Sequence, residues 1–408
     1  MKTIPLAALG CALQACYFFM PGSSADDVPK VLGLLLAASI FYMVAVFRSH
    51  TSPAWGLTLV FALSHRAAFV TREPFLSDDL YRYRWEARVI EAGGNPYLAR
   101  PSAAEWQSLR DPTYPRIPAP DFRAGYGPLQ ELVQAGAYGI ARAFSTDPDT
   151  QALWMKLPAI VGDLAALAIL SRTPLWIVYA WNPLVVTEIS WSGHNDGLLL
   201  AAIAAAWRWR SSAAAGAAIA LKWWPVILIP ALARQTGWRR AVWAGVIPFA
   251  TALPFIPGDP RELWENARFM SGFVGGWRNN DSLFSLMLWA ARDDQYLAKY
   301  LAFALLAAAV FLFRSYPLER AWISSITALL FLSANCHPWY LTWLMPLLAA
   351  SPLPPLMLWT GLAALSYSAL PDWKINGIWD GTGGVRWAIH APVLLWLMVR
   401  WRKHRMEN

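Results

Sequence analysis

Charge is scarce in this chain: only 15% of its 408 residues are Asp, Glu, Lys or Arg, against 57% hydrophobic. The apolar residues fall in runs instead of being scattered. That excludes an ordinary soluble domain and points to a polytopic helical membrane protein. Cysteine is scarcer still. The three present, Cys11, Cys16 and Cys336, sit in or beside apolar segments without CxxC or Cys/His spacing, so neither a disulfide framework nor a zinc site is expected and they read as packing residues. Heptad runs, low-complexity tracts, an evident internal repeat and a soluble terminal domain are also missing. The net charge of +8 lies largely in short loops and the tail, where it sets orientation in a membrane instead of binding nucleic acid.

What is abundant is tryptophan, 25 residues, as expected of side chains gathered at two lipid-water interfaces. Apolar runs cover about residues 4–20, 31–47, 53–70, 152–170, 174–190 and 196–209, then 241–256, 296–313, 320–336, 338–350, 353–370 and 385–401. Residues 1–20 fit either a signal peptide, with Lys2 ahead of the apolar stretch, or an uncleaved first helix. Basic groups such as Arg48 with His50, Arg172, Arg210, Arg239, Arg240 and Arg400 alternate with nearly neutral ends. Among the loops assigned to the cytoplasm the acids are Glu319 and Glu407. The expected fold is all-α, one integral-membrane domain over residues 1–408, a bundle of about 12 to 14 transmembrane segments with both termini cytoplasmic.

Residues 71–151 are expected to form a large first external loop with juxtamembrane helices inside it. Ser77 suits a helix N-cap, Asp78 and Asp79 suit the positive end of the dipole, and Gly93-Gly94 followed by Pro96 suits a stop. Leu76, Leu80, Tyr83, Ala87 and Ile90 recur at helical spacing between charged flanks, the pattern of a helix lying in a membrane surface. Asp79 and Glu86 share one flank. After Tyr126-Gly127-Pro128, the stripe Leu129, Leu132, Val133, Gly136 and Ile140, interrupted by Gln130, Glu131, Gln134 and Arg142, reads as a second surface helix or a short polar crossing. Lys222-Trp223-Trp224-Pro225 interrupts the run 211–232, and each half would span only about 15–18 Å of a hydrocarbon core of about 30 Å. A broken pair of half-helices lining a cavity is expected there.

Uncommon polar residues collect on the face assigned to the outside: Asp78, Asp79, Glu86, Gly193-His194-Asn195-Asp196-Gly197, the loop Gly275-Gly276-Trp277-Arg278-Asn279-Asn280-Asp281, and His337, with Lys222 deeper in the bundle. Such charges are costly at a membrane edge, which makes them functional candidates. Together they suit an amphiphilic substrate with an anionic head.

Ser77-Asp78-Asp79-Leu80-Tyr81-Arg82-Tyr83, Asn95-Pro96-Tyr97, Tyr126-Gly127-Pro128, Trp181-Asn182-Pro183, Gly193-His194-Asn195-Asp196-Gly197, Lys222-Trp223-Trp224-Pro225 and His337-Pro338-Trp339-Tyr340 occur in that order. The set resembles the integral-membrane glycosyltransferases of the GT-C superfamily, and within it the polyprenyl-phosphate-mannose-dependent mannosyltransferases of the glycosyltransferase 87 type. Three apolar runs precede the acidic loop here, where many superfamily members have one. The resemblance implies an inverting enzyme of a bacterial inner membrane. It would move a hexose, mannose foremost, from a polyprenyl-phosphate sugar to a lipid-linked or glycan acceptor on the extracytoplasmic face. No sugar nucleotide and no obligatory metal are implied, although some members use a divalent ion. No metal ligand is assigned. The partners implied are membrane lipids, the donor and the acceptor, with no nucleic acid.

The chemistry implied needs a carboxylate to take the proton of an acceptor hydroxyl as it attacks the anomeric carbon. Asp78 matches the superfamily's first external acid and is the expected base, with Asp79 the alternate or the group that orients it. The departing lipid phosphate needs charge stabilisation, expected from Lys222, Arg278, His337 and Arg82. Glu86, Tyr126, His194, Asn195, Asp196, Trp339 and Tyr340 are expected at the sugar or acceptor. Plainer readings stand beside these. Asp78 can cap its helix and pair with Arg82 at i+4, His194-Asn195-Asp196 can cap the next helix, Lys222 can snorkel, His337 can end a helix before Pro338, and Arg278 can be a solvated loop charge. A lipid or polysaccharide transporter is expected to carry inverted repeats and charges on both sides of the midplane. A lipid-diphosphate-dependent glycan ligase is expected to favour His and Arg in its large loop over an early acidic pair.

Overall fold

The structure, a computed structural model, describes residues 3–49, 54–259, 261, 262, 264, 265, 268, 277–381 and 383–406. Lys2, His50, Gly275, Gly276 and Glu407 lie outside the described residues. Among the described residues the regular elements are helical; Asn279 and Asn335 make an isolated bridge and no strand forms. Among the described residues three helical stretches are long and apolar enough to cross a membrane: Ala25–Ser49, Pro148–Leu170 and Gln295–Phe313.

In chain order the elements that matter to the site are α1 (Thr3–Phe18), α2 (Val28–Ser49), α3 (Trp55–Ala67), α4 (Asp79–Glu91), α5 (Pro128–Phe144), α6 (Pro148–Trp154) and α7 (Leu157–Leu170). They continue with α8 (Asp196–Trp209), α9 (Ser212–Leu221), α10 (Ile229–Thr236), α11 (Gln295–Phe313), α12 (Leu318–Leu332), α13 (Pro354–Leu362) and α14 (Val385–Met406). One apolar core joins α1, α2, α7, α8, α12 and α13.

α4 begins and ends where its sequence dictates, with Asp79 N–H donating to Ser77 Oγ at 3.2 Å and Gly93 at φ +79° beyond its end. Its surroundings correct the expectation of a helix lying in a membrane surface. Leu80, Tyr83 and Ala87 pack on Ala137, Tyr138 and Met155, while Tyr81, Trp85 and Val89 pack on Ala99, Ile117 and Ala152. With both faces covered, Arg82 and Arg84 on its flanks are buried and must be paired. Arg82 pairs with Glu86 at 2.6 Å, and Arg84 and Arg88 both reach Asp111, at 2.7 and 2.6 Å. The i, i+4 pair of Arg82 is therefore with Glu86 and not with Asp78.

α5 is inside out relative to a water-facing helix. Gln130, Glu131 and Gln134 are buried, whereas Ile140 and Phe144 are exposed. Polar groups toward the interior and apolar groups outward is the arrangement of a helix whose outer face meets lipid.

α7 and α8 approach very closely. A Cβ at Gly197 would lie 1.9 Å from the Ala159 carbonyl oxygen, so only glycine lets the start of α8 sit against the first turn of α7. The run 174–190 is broken at Trp181-Asn182-Pro183, where the Asn182 side chain accepts from Val185 N–H at 3.0 Å, and it continues as a π-helical turn, Thr187–Trp191. The expected interruption after α9 is present: Lys222 is extended (φ −144°, ψ 144°), and a 3-10 turn over Trp224–Leu228 leads into α10.

Candidate active site

A cavity of about 270 Å³ opens at the start of α4. Its walls come from three stretches: Leu76 to Glu86, the loop Pro118 to Tyr126 that Arg82 fastens, and aromatics from the C-terminal half. Arg82 donates to the carbonyls of Ala119 and Phe122 at 3.1 and 2.6 Å. Its guanidinium thus holds the second wall against the first.

Asp78 and Asp79 both face this cavity. The Asp78 side chain makes no capping bond; its Oδ2 instead accepts from the indole N–H of Trp373 at 3.1 Å. Asp79 Oδ2 receives the hydroxyls of Tyr83 and Tyr126, each at 3.4 Å. Burial, with Asp79 nearby, pushes both phenols well above their ordinary pKa, so they stay protonated donors. Behind the acids, burial raises the Glu86 carboxyl despite Arg82.

The opposite wall is an aromatic column. The His337 ring stacks on Trp339 at 4.4 Å, and Trp339 stacks on His194 at 4.1 Å. Burial, reinforced by repulsion from His194 and Lys222, lowers His337 to about 3. Its imidazole is neutral at physiological pH. His337 Nδ1 lies 2.8 Å from Asn279 Nδ2, and Asn279 Oδ1 accepts from Trp379 Nε1 at 2.7 Å. His194 Nε2 is 3.6 Å from Asp79 Oδ2 and its Nδ1 is 3.0 Å from Glu188 Oε2, neither pair aligned as a hydrogen bond.

Lys222 Nζ binds both oxygens of buried Asp196, at 2.7 and 2.9 Å, and lies 5.5 Å from the Tyr340 ring centre and 5.9 Å from that of Tyr126. Trp343 also donates to Asp196, at 2.6 Å. Lys222 is therefore anchored one residue layer behind the cavity instead of snorkelling. Arg278 sits apart, paired with Asp281 at 2.7 Å, which Arg386 bridges from its other oxygen at 2.6 Å. Asn195 is buried with neither amide atom hydrogen-bonded among the described residues.

The loops carrying these groups share one clamp. Lys156, at the head of α7, donates to the carbonyls of Phe69, Arg72 and Ser190. The first two precede the Ser77-Asp78-Asp79 turn and the third precedes Gly193, whose φ of +72° turns His194 toward Asp79.

Eight of the sequence candidates line the cavity together: Asp78, Asp79, Arg82, Glu86, Tyr126, His337, Trp339 and Tyr340. His194 adjoins Asp79, the Lys222–Asp196 pair stands behind Tyr126 and Tyr340, and Asn195 and Arg278 lie off the cavity. Sequence reasoning missed Trp373 and Trp379 and counted Asn279 among the external polar candidates without giving it a role. The stretch Asp372 to Gly384 also carries Lys374, Ile375 and Ile378, and nothing in it marks the two tryptophans as site residues.

The family model described as alpha-(1->6)-mannopyranosyltransferase, N-terminal domain, of the MptA_B family, matches residues 27–238. That range carries the acid pair, His194, Asp196 and Lys222 and stops short of His337. No curated protein and no solved structure matches the chain.

Proposed function

The chain belongs to the MptA_B family of alpha-(1->6)-mannopyranosyltransferases, and from that premise we propose that it transfers mannose from a polyprenyl-phosphate donor to a lipid-linked or glycan acceptor, at the extracytoplasmic face of a bacterial inner membrane. The polytopic GT-C arrangement expected from the sequence, with residues 71–151 outside, would put the cavity on that face.

The reading rests on one observation above all: an acid pair and a neutral imidazole, from parts of the chain more than two hundred residues apart, face a single cavity. In the step proposed, the acceptor hydroxyl loses its proton to Asp78 while its oxygen bonds to the anomeric carbon. The bond from that carbon to the phosphate oxygen breaks, and the phosphate leaves with the electron pair. Asp79, held by two phenols, orients the acceptor. Trp339 and Tyr340 supply faces on which a sugar can stack, and the Arg82 guanidinium lines the cavity beside the leaving phosphate, with the Lys222 ammonium one residue layer behind it, its charge offset by Asp196. A single displacement inverts the anomeric centre, so an α product requires a β-linked donor. A 6-linkage requires a primary hydroxyl as nucleophile, which is less hindered than the ring hydroxyls.

Transfer of labelled mannose from synthetic polyprenyl-phosphate mannose, in membranes holding the wild-type chain, tests the proposal. Asp78→Asn and Asp79→Asn serve as controls. Transfer from a sugar nucleotide alone would remove the donor class, and transfer surviving both substitutions would remove the base.

A further inference from the structure

The contacts of His337 fix more than its position. An indole N–H can only donate, so its 2.7 Å contact with Asn279 Oδ1 decides which end of that amide is oxygen. The amide nitrogen therefore faces His337 Nδ1 at 2.8 Å. An amide NH2 donates and does not accept, so Nδ1 must carry the lone pair and, in the neutral ring, Nε2 must carry the proton. A protonated ring would set one N–H against another.

The frame around the amide is equally determined. Asn279 N–H donates to the Ala334 carbonyl at 3.0 Å, and its own carbonyl accepts from Cys336 N–H at 2.9 Å, so its backbone is registered on the residues leading into His337. Asn280 N–H donates to the Gly381 carbonyl at 2.7 Å, drawing the Trp379 loop over the amide. A Cβ at Gly381 would fall 1.7 Å from Asn279 Oδ1. Only glycine at 381 lets that loop close.

We propose that His337 is a neutral hydrogen-bond donor to the departing phosphate through Nε2–H, and that Asn279 and Trp379 are positioning residues that lock it in that tautomer. The phosphate contact rests on the function proposed above; the lock does not. A neutral donor needs no counter-ion, so it can face the acid pair across the cavity without forming an ion pair that would tie up the base. No proton leaves His337 during the displacement; it only stabilises charge as the phosphate oxygen acquires it. The charged and titratable groups around the ring are His194 across Trp339, Lys222 with its partner Asp196, Tyr340 at the ring edge, and Asp79 beyond His194. Asn279 is the contact that selects the nitrogen.

Two measurements on the full chain in lipid nanodiscs separate the lock from the role. In the first, 15N-imidazole spectra are assigned by their loss in His337→Gln. The expected result is an unprotonated Nδ1 and a protonated Nε2, unchanged from about pH 5 to about pH 8, and a mixture of tautomers in Trp379→Phe. A protonated Nδ1, or a tautomer indifferent to Trp379, overturns the lock whether or not any sugar is transferred. The second is steady-state transfer from polyprenyl-phosphate mannose. His337→Gln, whose amide presents N–H near the Nε2 position, should retain most activity, while His337→Leu should raise the donor KM or lower kcat by about 10- to 100-fold. Asn279→Asp should pull the proton to Nδ1 and give the donor KM a pH dependence near neutrality that wild type lacks. Full activity in His337→Leu overturns the role. A wild type that transfers nothing from that donor removes the proposed function while the spectra still decide the tautomer.

Discussion

Trp373 and Asp78 are 295 residues apart in the chain and 3.1 Å apart in the fold, the indole N–H donating to one oxygen of the carboxylate. The bond leaves the other oxygen without a side-chain donor among the described residues, and it ties the orientation of the proposed base to a segment outside the matched family domain. Trp373→Phe keeps the ring and removes the N–H. The expected result is a fall in kcat of about tenfold, the weight of one hydrogen bond to a charged group, with the acceptor KM nearly unchanged. Steady-state transfer kinetics check it, and a wild-type kcat would detach Trp373 from catalysis.

The two aspartates should respond unequally. Among the described residues Asp78 has one side-chain donor, Trp373, whereas Asp79 is surrounded by Tyr83, Tyr126 and His194. Asp78→Asn should lower kcat by about 10²- to 10⁴-fold, the range for loss of a positioned general base. In Asp79→Asn the amide oxygen can still accept from the phenols, so the loss should be nearer tenfold. The comparison is of kcat at saturating donor, and the reverse order would exchange the two roles.

Most of the site's acid half was legible because local rules wrote it. The caps and stops of α4 and the break at Lys222 each follow from residues within one or two turns. Partners set by tertiary packing were not legible. Arg82 has acids at i−4 and i+4, and only the loop folded over its outer side decides for Glu86. The amphipathic pattern of α4 reads as a surface helix until the proline-rich stretch Pro101 to Pro120, through Ile117, covers its second face. α5 misleads for a related reason: when the outer medium is lipid, the apolar stripe marks the outside. Trp373 and Trp379 escaped because nothing near them in sequence signals that their loop folds back onto Asp78 and Asn279.

Lys222 and Asp196 form a pair that is nearly dry, with the lysine side chain 13% exposed and the aspartate fully buried. Removing one partner leaves an unpaired buried charge. Lys222→Met should therefore cost about 3–5 kcal/mol of stability, while Lys222→Met combined with Asp196→Asn should recover much of that loss. Thermal unfolding of the detergent-solubilised variants gives the comparison. If the double variant is as stable as wild type and still transfers mannose with an unchanged donor KM, the pair serves only the fold; a raised donor KM assigns the ammonium to the phosphate as well.

His337 also leaves a mark on stability. Its folded pKa is lowered to about 3, against about 6.5 for a free imidazole. Above about pH 6.5 neither state binds the proton, and the group has no effect. As pH falls below that value the unfolded chain takes up a proton that the folded chain refuses, so stability drops, and the drop levels off only near pH 3. By pH 5 the loss should reach about 2 kcal/mol, following the difference in protons bound by the two states. Thermal midpoints at pH 7 and pH 5, compared between wild type and His337→Gln, isolate this contribution because every other imidazole is common to both proteins. The wild type should lose more on acidification than the variant; equal losses would mean that His337 protonates as readily in the folded cavity as it does in water.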